Sequence, residues 1–140
     1  MKFDDFLNQG LARKAKKDKN LAKVLFITTK KDLIFLERIK IDEFSSRKMV
    51  SGYYDVLRNL LDAIAALNDF KIYSHEAFTY YLKNIGEEII SIKFDRLRKI
   101  RNKINYYGQL VSVEEAKENI KEIKEIIDSL TNKYLKFLEK

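Results

Sequence analysis

Apolar residues recur three and four positions apart along most of the chain, which is the spacing of one helix face. The clearest case is the last segment, where this face is formed by Ala116, Ile120, Ile123, Ile127 and Leu130. The preceding Ser112–Glu115 spacing is that of a capping box. The pattern predicts a helix from about residue 113 to near the C-terminus.

The same spacing predicts three more helices in the middle of the chain. One lies within residues 45–70 and ends where Asn68 and Asp69 interrupt the pattern. After a short extended link, Ser74 is a candidate N-cap for a shorter helix that ends near Gly86. The next helix begins between residues 87 and 92 and ends at residue 107, before a glycine that serves as a stop signal.

The first third of the chain gives a less regular pattern. Residues 21–42 are apolar enough for a long helix, but Thr28 and Thr29, followed by two lysines, leave open a break or kink. No strand alternation holds for long, and no internal repeat or linker is present. The prediction is an all-α fold, an antiparallel up-and-down bundle of four to five helices, with residues 1–140 forming a single domain.

Composition removes several classes of chemistry. The 140 residues contain no cysteine, one histidine and no proline, so disulfides, thiolate zinc sites and cysteine nucleophiles are excluded. We expect no metal site and no cofactor. No apolar run has the length of a membrane span, and the N-terminus has acids where a signal peptide needs basic residues. A cytoplasmic protein that does not enter membranes is expected.

The net charge of +7 is unevenly distributed. Residues 13–31 contain eight lysines or arginines and one acid, and residues 93–103 contain six and one. Clustered positive charge favours polyanions such as RNA, DNA or nucleotides. A lysine-rich solvated surface is the alternative, and the role of residues 13–31 stays open.

Few residues outside the basic helix suggest chemistry. The stretch HEAFTYY begins like a zinc-binding helix but lacks the second histidine, so His75 is interpreted as an ordinary residue at a helix start. The two tyrosine pairs, residues 53–54 and 80–81, are each expected to place one ring in the core and one at the surface.

Arg101 lies at an unusual position on its helix. At about 100° per residue, Leu97 and Ile104 fall about 40° and 60° to one side of it, so it borders the apolar stripe. A guanidinium there is partly removed from water and needs a carboxylate, a carbonyl or a phosphate. Arg98 and Asn105 share this edge, whereas the other cations, Arg96, Lys99 and Lys103, point elsewhere as solubilising charge. The plain alternative for Arg101 is a structural salt bridge.

Three segments together resemble the HEPN domain family. They are YYDVLRNLLDAIAALNDFKIYSHEAF, LRKIRNKINYYG and VSVEEAKENIKEIKEIIDSL, and the resemblance covers about residues 20–130. It implies a prokaryotic, homodimeric helical bundle that binds nucleotides or RNA. Active members are metal-independent endoribonucleases, and many act as toxins beside a minimal nucleotidyltransferase that serves as antitoxin.

The family motif is an arginine and a polar residue followed by a histidine four to six residues beyond. Arg101 matches the arginine and Asn102 the polar residue, but the histidine position holds Tyr106. An ordinary tyrosine, with a pKa near 10, is a poor base at neutral pH.

Three hypotheses follow from this substitution. The first is a catalytically degenerate binding module with Arg98, Arg101, Asn102, Asn105 and Tyr106 as its site. The second is an active endoribonuclease that uses Arg101 with Tyr106. The third is a structural dimer in which Arg101 pairs with a carboxylate.

Overall fold

The longest helix lies at the centre of the fold and the other elements pack around it. The computed structural model describes residues 1–139. In chain order its elements are α1 (Phe3–Asn8), β1 (Ala12–Lys14), α2 (Lys19–Glu37), α3 (Ser46–Leu67), β2 (Phe70–Ile72), α4 (His75–Asn84), α5 (Glu88–Tyr107) and α6 (Val113–Leu130), followed by a π-helical turn, Thr131–Leu135, and a 3₁₀ turn, Lys136–Glu139.

The all-α bundle is confirmed, with six α-helices among the described residues instead of four or five. The additional helix is α1. Its six residues form fewer than two turns, which is too short to display a helical periodicity. None of the helices in residues 1–139 is both long and apolar enough to span a bilayer.

Helix α3 is buried on more sides than the sequence pattern indicates, because α2, α5 and α6 all contact it. The prediction that one ring of each tyrosine pair faces the surface is therefore wrong for Tyr53 and Tyr54, which are both buried. In the other pair Tyr81 is buried and Tyr80 is half-buried. Several packed neighbours leave a central helix with only a narrow solvent face, on which Asp55 lies.

The predicted helix ends are confirmed by their caps. The Ser74 hydroxyl accepts from the Ala77 N–H at 3.3 Å, and the Ser112 hydroxyl accepts from the Glu115 N–H at 3.1 Å. Gly108 follows α5 with a φ of 64°, a left-handed conformation that a glycine adopts without steric cost. These caps place the starts of α4 and α6 and the end of α5 where the sequence predicted them. Helix α6 itself ends at Leu130, short of the predicted end near the C-terminus, and the chain continues as π-helical and 3₁₀ turns.

Helix α2 is continuous, so the break that the sequence left open at Thr28 and Thr29 is absent. The buried Thr29 hydroxyl donates to the Leu25 carbonyl of the same helix at 2.9 Å, which satisfies it without disturbing the helix. One apolar side of α2 remains open, and Phe35 is 63% exposed.

A two-stranded antiparallel sheet joins the start of the chain to the α3–α4 connection. Ala12 pairs with Ile72 and Lys14 pairs with Phe70. Strands of three residues are too short for an alternating pattern, so the sequence did not predict them. The sheet fixes the entry into α4 and thereby the position of His75.

Candidate polyanion-binding site

Arg101 projects from α5 onto the middle of α3. Its side chain is only 16% exposed, and its Nη2 lies 3.7 Å from the Asp55 Oδ1. The centre of its guanidinium lies 5.6 Å from the centroid of the Tyr54 ring. Its Nε is buried and has no hydrogen-bond acceptor among residues 1–139.

The guanidinium of Arg101 is therefore incompletely satisfied by its surroundings. A carboxylate at 3.7 Å is beyond hydrogen-bond distance, and the Asp55 side chain is 48% exposed, which screens the attraction. The Tyr54 ring face adds a cation–π attraction of about 1 kcal/mol. A buried N–H without an acceptor costs about 1–3 kcal/mol. The surroundings of Arg101 thus leave part of the hydrogen-bonding capacity of its guanidinium unused.

Arg98, three residues earlier, is in the opposite situation. Its Nη2 and Nε donate to the Asp95 Oδ1 at 2.8 and 3.1 Å, and Glu76 lies 3.8 Å away. Burial alone would raise the pKa of Asp95, but hydrogen bonds from Arg98 and Lys99 outweigh it and lower that pKa. Arg98 is thus a structural cation that connects α4 to α5.

His75, the first residue of α4, contacts the same tyrosine, Tyr54, as Arg101 does. Its Nδ1 is 3.0 Å from the Tyr54 hydroxyl, and the two rings stack with centroids 5.7 Å apart. Burial, followed by the positive charges of Arg58, Arg101 and Arg98, lowers its pKa to about 4. His75 is therefore neutral at pH 7, and one ring nitrogen can accept a proton or a hydrogen bond.

Tyr54 connects the histidine to the arginine. It is buried, and burial raises the pKa of its hydroxyl above the ordinary value, so the hydroxyl stays protonated at neutral pH. Its hydroxyl contacts His75 while its ring lies against Arg101. One buried side chain of α3 thus holds groups from α4 and α5 in a fixed relation.

The remaining predicted site residues lie elsewhere on α5. Asn105 accepts a hydrogen bond from the Ser51 hydroxyl at 2.8 Å, which joins α5 to α3. Asn102 is half-buried, and Tyr106 is 71% exposed. Tyr106 follows Arg101 by five residues and so lies about 140° around the helix. In residues 1–139 no hydrogen bond or cation–π contact joins Tyr106 to Arg101.

His75, Tyr54 and Asp55 are the members of this cluster that the sequence did not indicate as site residues, and His75 is the one with acid–base chemistry near neutral pH. Its position at the helix start is confirmed, since it follows the Ser74 cap. Motif spacing relates residues of one helix, whereas His75 and Arg101 belong to different helices that both contact Tyr54. No local pattern in the sequence indicates that these two residues contact the same tyrosine.

Comparisons of the chain with family models, with curated proteins and with solved structures found no match. The HEPN resemblance therefore stays a prediction. Within residues 1–139 no three side chains of histidine, cysteine, aspartate or glutamate are grouped so that they can hold a metal ion. The cluster defined by Arg101, Tyr54, His75 and Asp55, which we call the Arg101 cluster, is the site that the geometry offers for a phosphate.

Proposed function

We propose that the chain binds RNA through the Arg101 cluster. The observation that carries the proposal is the incomplete satisfaction of the Arg101 guanidinium, with a buried Nε lacking an acceptor and a single carboxylate at 3.7 Å. A phosphate offers two oxygens in the planar geometry that a guanidinium binds best. The six cations in residues 93–103 supply long-range attraction for a phosphate chain.

Anisotropy of a labelled single-stranded oligoribonucleotide tests this proposal. A hydrogen bond to a charged group contributes about 1.5–3 kcal/mol, so Arg101→Ala should weaken binding by about tenfold or more. Lys103→Ala is the matched control, because it removes one positive charge from the opposite face of α5. An equal loss in both variants would show that only net charge matters and would contradict the proposal.

Asp55 provides a second arm of the same test. Its carboxylate competes with a phosphate for Arg101, so Asp55→Asn should tighten RNA binding by a few-fold. Asp32→Asn, which neutralises another acid near this face on α2, is the control for general charge. Weaker RNA binding by Asp55→Asn would mean that Asp55 helps to hold the bound state.

A second candidate function, metal-independent RNA cleavage, is favoured by the position of His75. A phosphate bound at Arg101 adds negative charge that offsets the arginines, which raises the His75 pKa towards its ordinary value. His75 is then a better proton acceptor for a 2′-hydroxyl whose oxygen attacks the phosphorus. The new P–O2′ bond gives a 2′,3′-cyclic phosphate as the P–O5′ bond breaks. The leaving 5′-oxygen takes a proton from water and becomes a hydroxyl, and the proton held by His75 returns to solvent.

Digestion of total RNA with EDTA present distinguishes the two candidates. Cleavage that is lost in both Arg101→Ala and His75→Gln, and retained in Tyr106→Phe, would assign the general base to His75. Loss of cleavage in Tyr106→Phe would instead assign the general base to Tyr106. RNA binding without cleavage by the wild type leaves the binding module as the function.

The resemblance also predicts a homodimer and a nucleotidyltransferase partner. Sedimentation velocity of the purified chain tests the first of these predictions. A dimer that persists at micromolar concentration is the expected result.

A further inference from the structure

A cavity lined by both charged and apolar residues lies away from the Arg101 cluster. Its volume is 420 Å³, within the range of about 300–1,000 Å³ typical of small-molecule sites. It lies between the loop of residues 15–18, the first turns of α2, the end of α3 and strand β2. None of the residues of the Arg101 cluster lines it, so it is a separate site.

The walls of this cavity are held by main-chain hydrogen bonds. The Ala15 N–H donates to the Asp69 carbonyl at 2.8 Å, and the Asp18 N–H donates to the Ala66 carbonyl at 3.0 Å. The Asp18 carboxylate accepts from the Leu21 N–H at 2.9 Å and caps α2. The loop is thus fixed at both ends before any ligand enters, which limits the entropy lost on binding.

Three cations line the cavity, namely Arg13, Lys16 and Lys71. Among residues 1–139 none of them forms a salt bridge, although the Arg13 Nε donates to the Tyr73 hydroxyl at 2.7 Å, which fixes its direction. Arg13 and Lys71 are opposite each other in the β1–β2 register, so their charges are held close together. Like charges opposed across a strand pair are unfavourable unless an anion lies between them.

The rest of the lining differs in character. Leu25 and Phe70 are half-buried and provide an apolar wall. Asp62 lies at the wall formed by α3, where Arg58 pairs with it at 3.3 Å, and burial raises its pKa. A ligand that fits has an anionic end for the cations, a flat apolar body for the wall, and a donor for the Asp62 carboxylate.

We propose that this cavity binds a monophosphate ester with a flat aromatic body, of which a nucleoside monophosphate is the common example. The phosphate lies between Arg13, Lys16 and Lys71, and the aromatic body lies against Leu25 and Phe70. An amino or hydroxyl group of the ligand donates to Asp62. The same chemical group is available as a free nucleotide or as the 5′-phosphorylated end of an RNA chain.

Amide chemical-shift titration of the full chain with adenosine 5′-monophosphate tests the proposal. Shifts should concentrate in residues 15–18 and 70–71, and adenosine alone or inorganic phosphate alone should bind at least tenfold more weakly. Shifts confined to the Arg101 cluster would overturn the cavity proposal while supporting the function proposed for that cluster. The absence of any saturable shift with this nucleotide and with phenyl phosphate would also overturn it.

Charge reversal locates the phosphate. Lys71→Glu should weaken nucleotide binding at least tenfold, whereas Lys23→Glu, the same change on the outer side of α2, should alter it less than twofold. Equal effects would overturn the assignment. Because Lys71 lies in a strand, Lys16→Glu in the loop is the second variant if Lys71→Glu does not fold.

Displacement of the bound nucleotide by oligoribonucleotides identifies the source of the ligand. A 5′-phosphorylated oligoribonucleotide that displaces the free nucleotide more strongly than its 5′-hydroxyl counterpart would identify an RNA end as the occupant. Displacement by neither oligonucleotide would identify the free nucleotide, and equal displacement by the two would show that the cavity does not recognise a terminal phosphate and would overturn the proposal.

Discussion

Arg98 and Arg101 show how differently two arginines on one helix edge can be used. Both are mostly buried against neighbouring helices, and one turn of α5 separates them. Arg98 makes short hydrogen bonds to Asp95, whereas Arg101 has a single acid at 3.7 Å and a buried Nε without an acceptor. We infer that Arg98 serves the stability of the fold and that Arg101 contributes little to it.

The stability of two methionine variants checks this distinction. Arg98→Met leaves Asp95 without its main partner and should lower the free energy of unfolding by about 1–2 kcal/mol. Arg101→Met removes an unsatisfied N–H together with the cation–π contact, so it should leave the free energy of unfolding unchanged or raise it by up to about 2 kcal/mol. Urea denaturation measures both variants, and the reverse order would contradict the inference.

His75 makes stability depend on pH in a defined window. Its pKa is about 4 in the folded chain and near 6.5 when unfolded, so between these values the unfolded state binds more protons. The free energy of unfolding should therefore fall as the pH drops from about 6.5 to 4, by about 3.4 kcal/mol for the full shift and by less in practice, because water screens the partly exposed His75. Below pH 4 this contribution changes no further.

The His75→Gln variant isolates that contribution. Glutamine does not titrate, so the variant should show a flatter pH dependence between pH 6.5 and 4.5 in urea denaturation. Carboxylates with lowered pKa, such as Asp95, act mainly below that window. An unchanged slope in the variant would contradict the pKa assigned to His75.

At the scale of elements, one carboxylate fastens the C-terminal turns to the start of α5. The Glu87 Oε2 accepts from the Lys133 Nζ at 2.7 Å and from the Tyr134 hydroxyl at 2.6 Å. Burial alone would raise the pKa of Glu87, but these two hydrogen bonds outweigh it and lower that pKa. Glu87 thereby joins the N-cap of α5 to the π-helical turn after α6.

The Glu87→Gln variant should loosen this connection. An amide keeps one hydrogen bond but loses the ionic attraction, so we expect a loss of about 1 kcal/mol and faster amide hydrogen exchange in residues 131–139. The neighbouring Glu88→Gln is the matched control, because Glu88 is exposed and has no salt bridge among residues 1–139. Equal exchange in the two variants would contradict the role of Glu87.

The lowered pKa also sets the pH at which this connection weakens. The stabilisation by Glu87 is fully present above its ordinary pKa of 4.5 and is lost as the pH falls through the lower folded value. The rate of amide hydrogen exchange in residues 131–139, divided by the intrinsic rate at the same pH, should therefore rise below pH 4.5. This rise should be absent in Glu87→Gln.

At the scale of the whole molecule, the proposed function assigns the long-range attraction of RNA to the net charge of +7 and the positioning of RNA to the Arg101 cluster. RNA affinity should fall linearly with the logarithm of salt concentration, because bound cations release counterions from the phosphates. Arg101→Ala should reduce the magnitude of that slope by about 1, which is the change expected for the loss of one phosphate contact. Anisotropy titrations at several salt concentrations measure the slope, and an unchanged slope would mean that Arg101 does not contact phosphate.

Most of the helices were predictable from the sequence. The α4, α5 and α6 boundaries depend on caps and stop signals that lie within a few residues of one another, and the apolar spacing along each helix is local as well. Residues 12–14 and 70–72 are nearly sixty positions apart, so their pairing leaves no local pattern. The burial of both Tyr53 and Tyr54 was missed because it depends on three helices that pack around α3.

The sequence by itself determined the all-α class, the edge position of Arg101 and the positive charge of its helix. Only the tertiary structure decided that Arg98 is hydrogen-bonded to its carboxylate, whereas Arg101 has a carboxylate at 3.7 Å and a buried Nε without an acceptor. It also decided that His75 stacks on the tyrosine that Arg101 contacts. The physical reason is that helical periodicity fixes the direction in which a side chain points. Its burial, its partners and its pKa depend on residues that other helices bring to it.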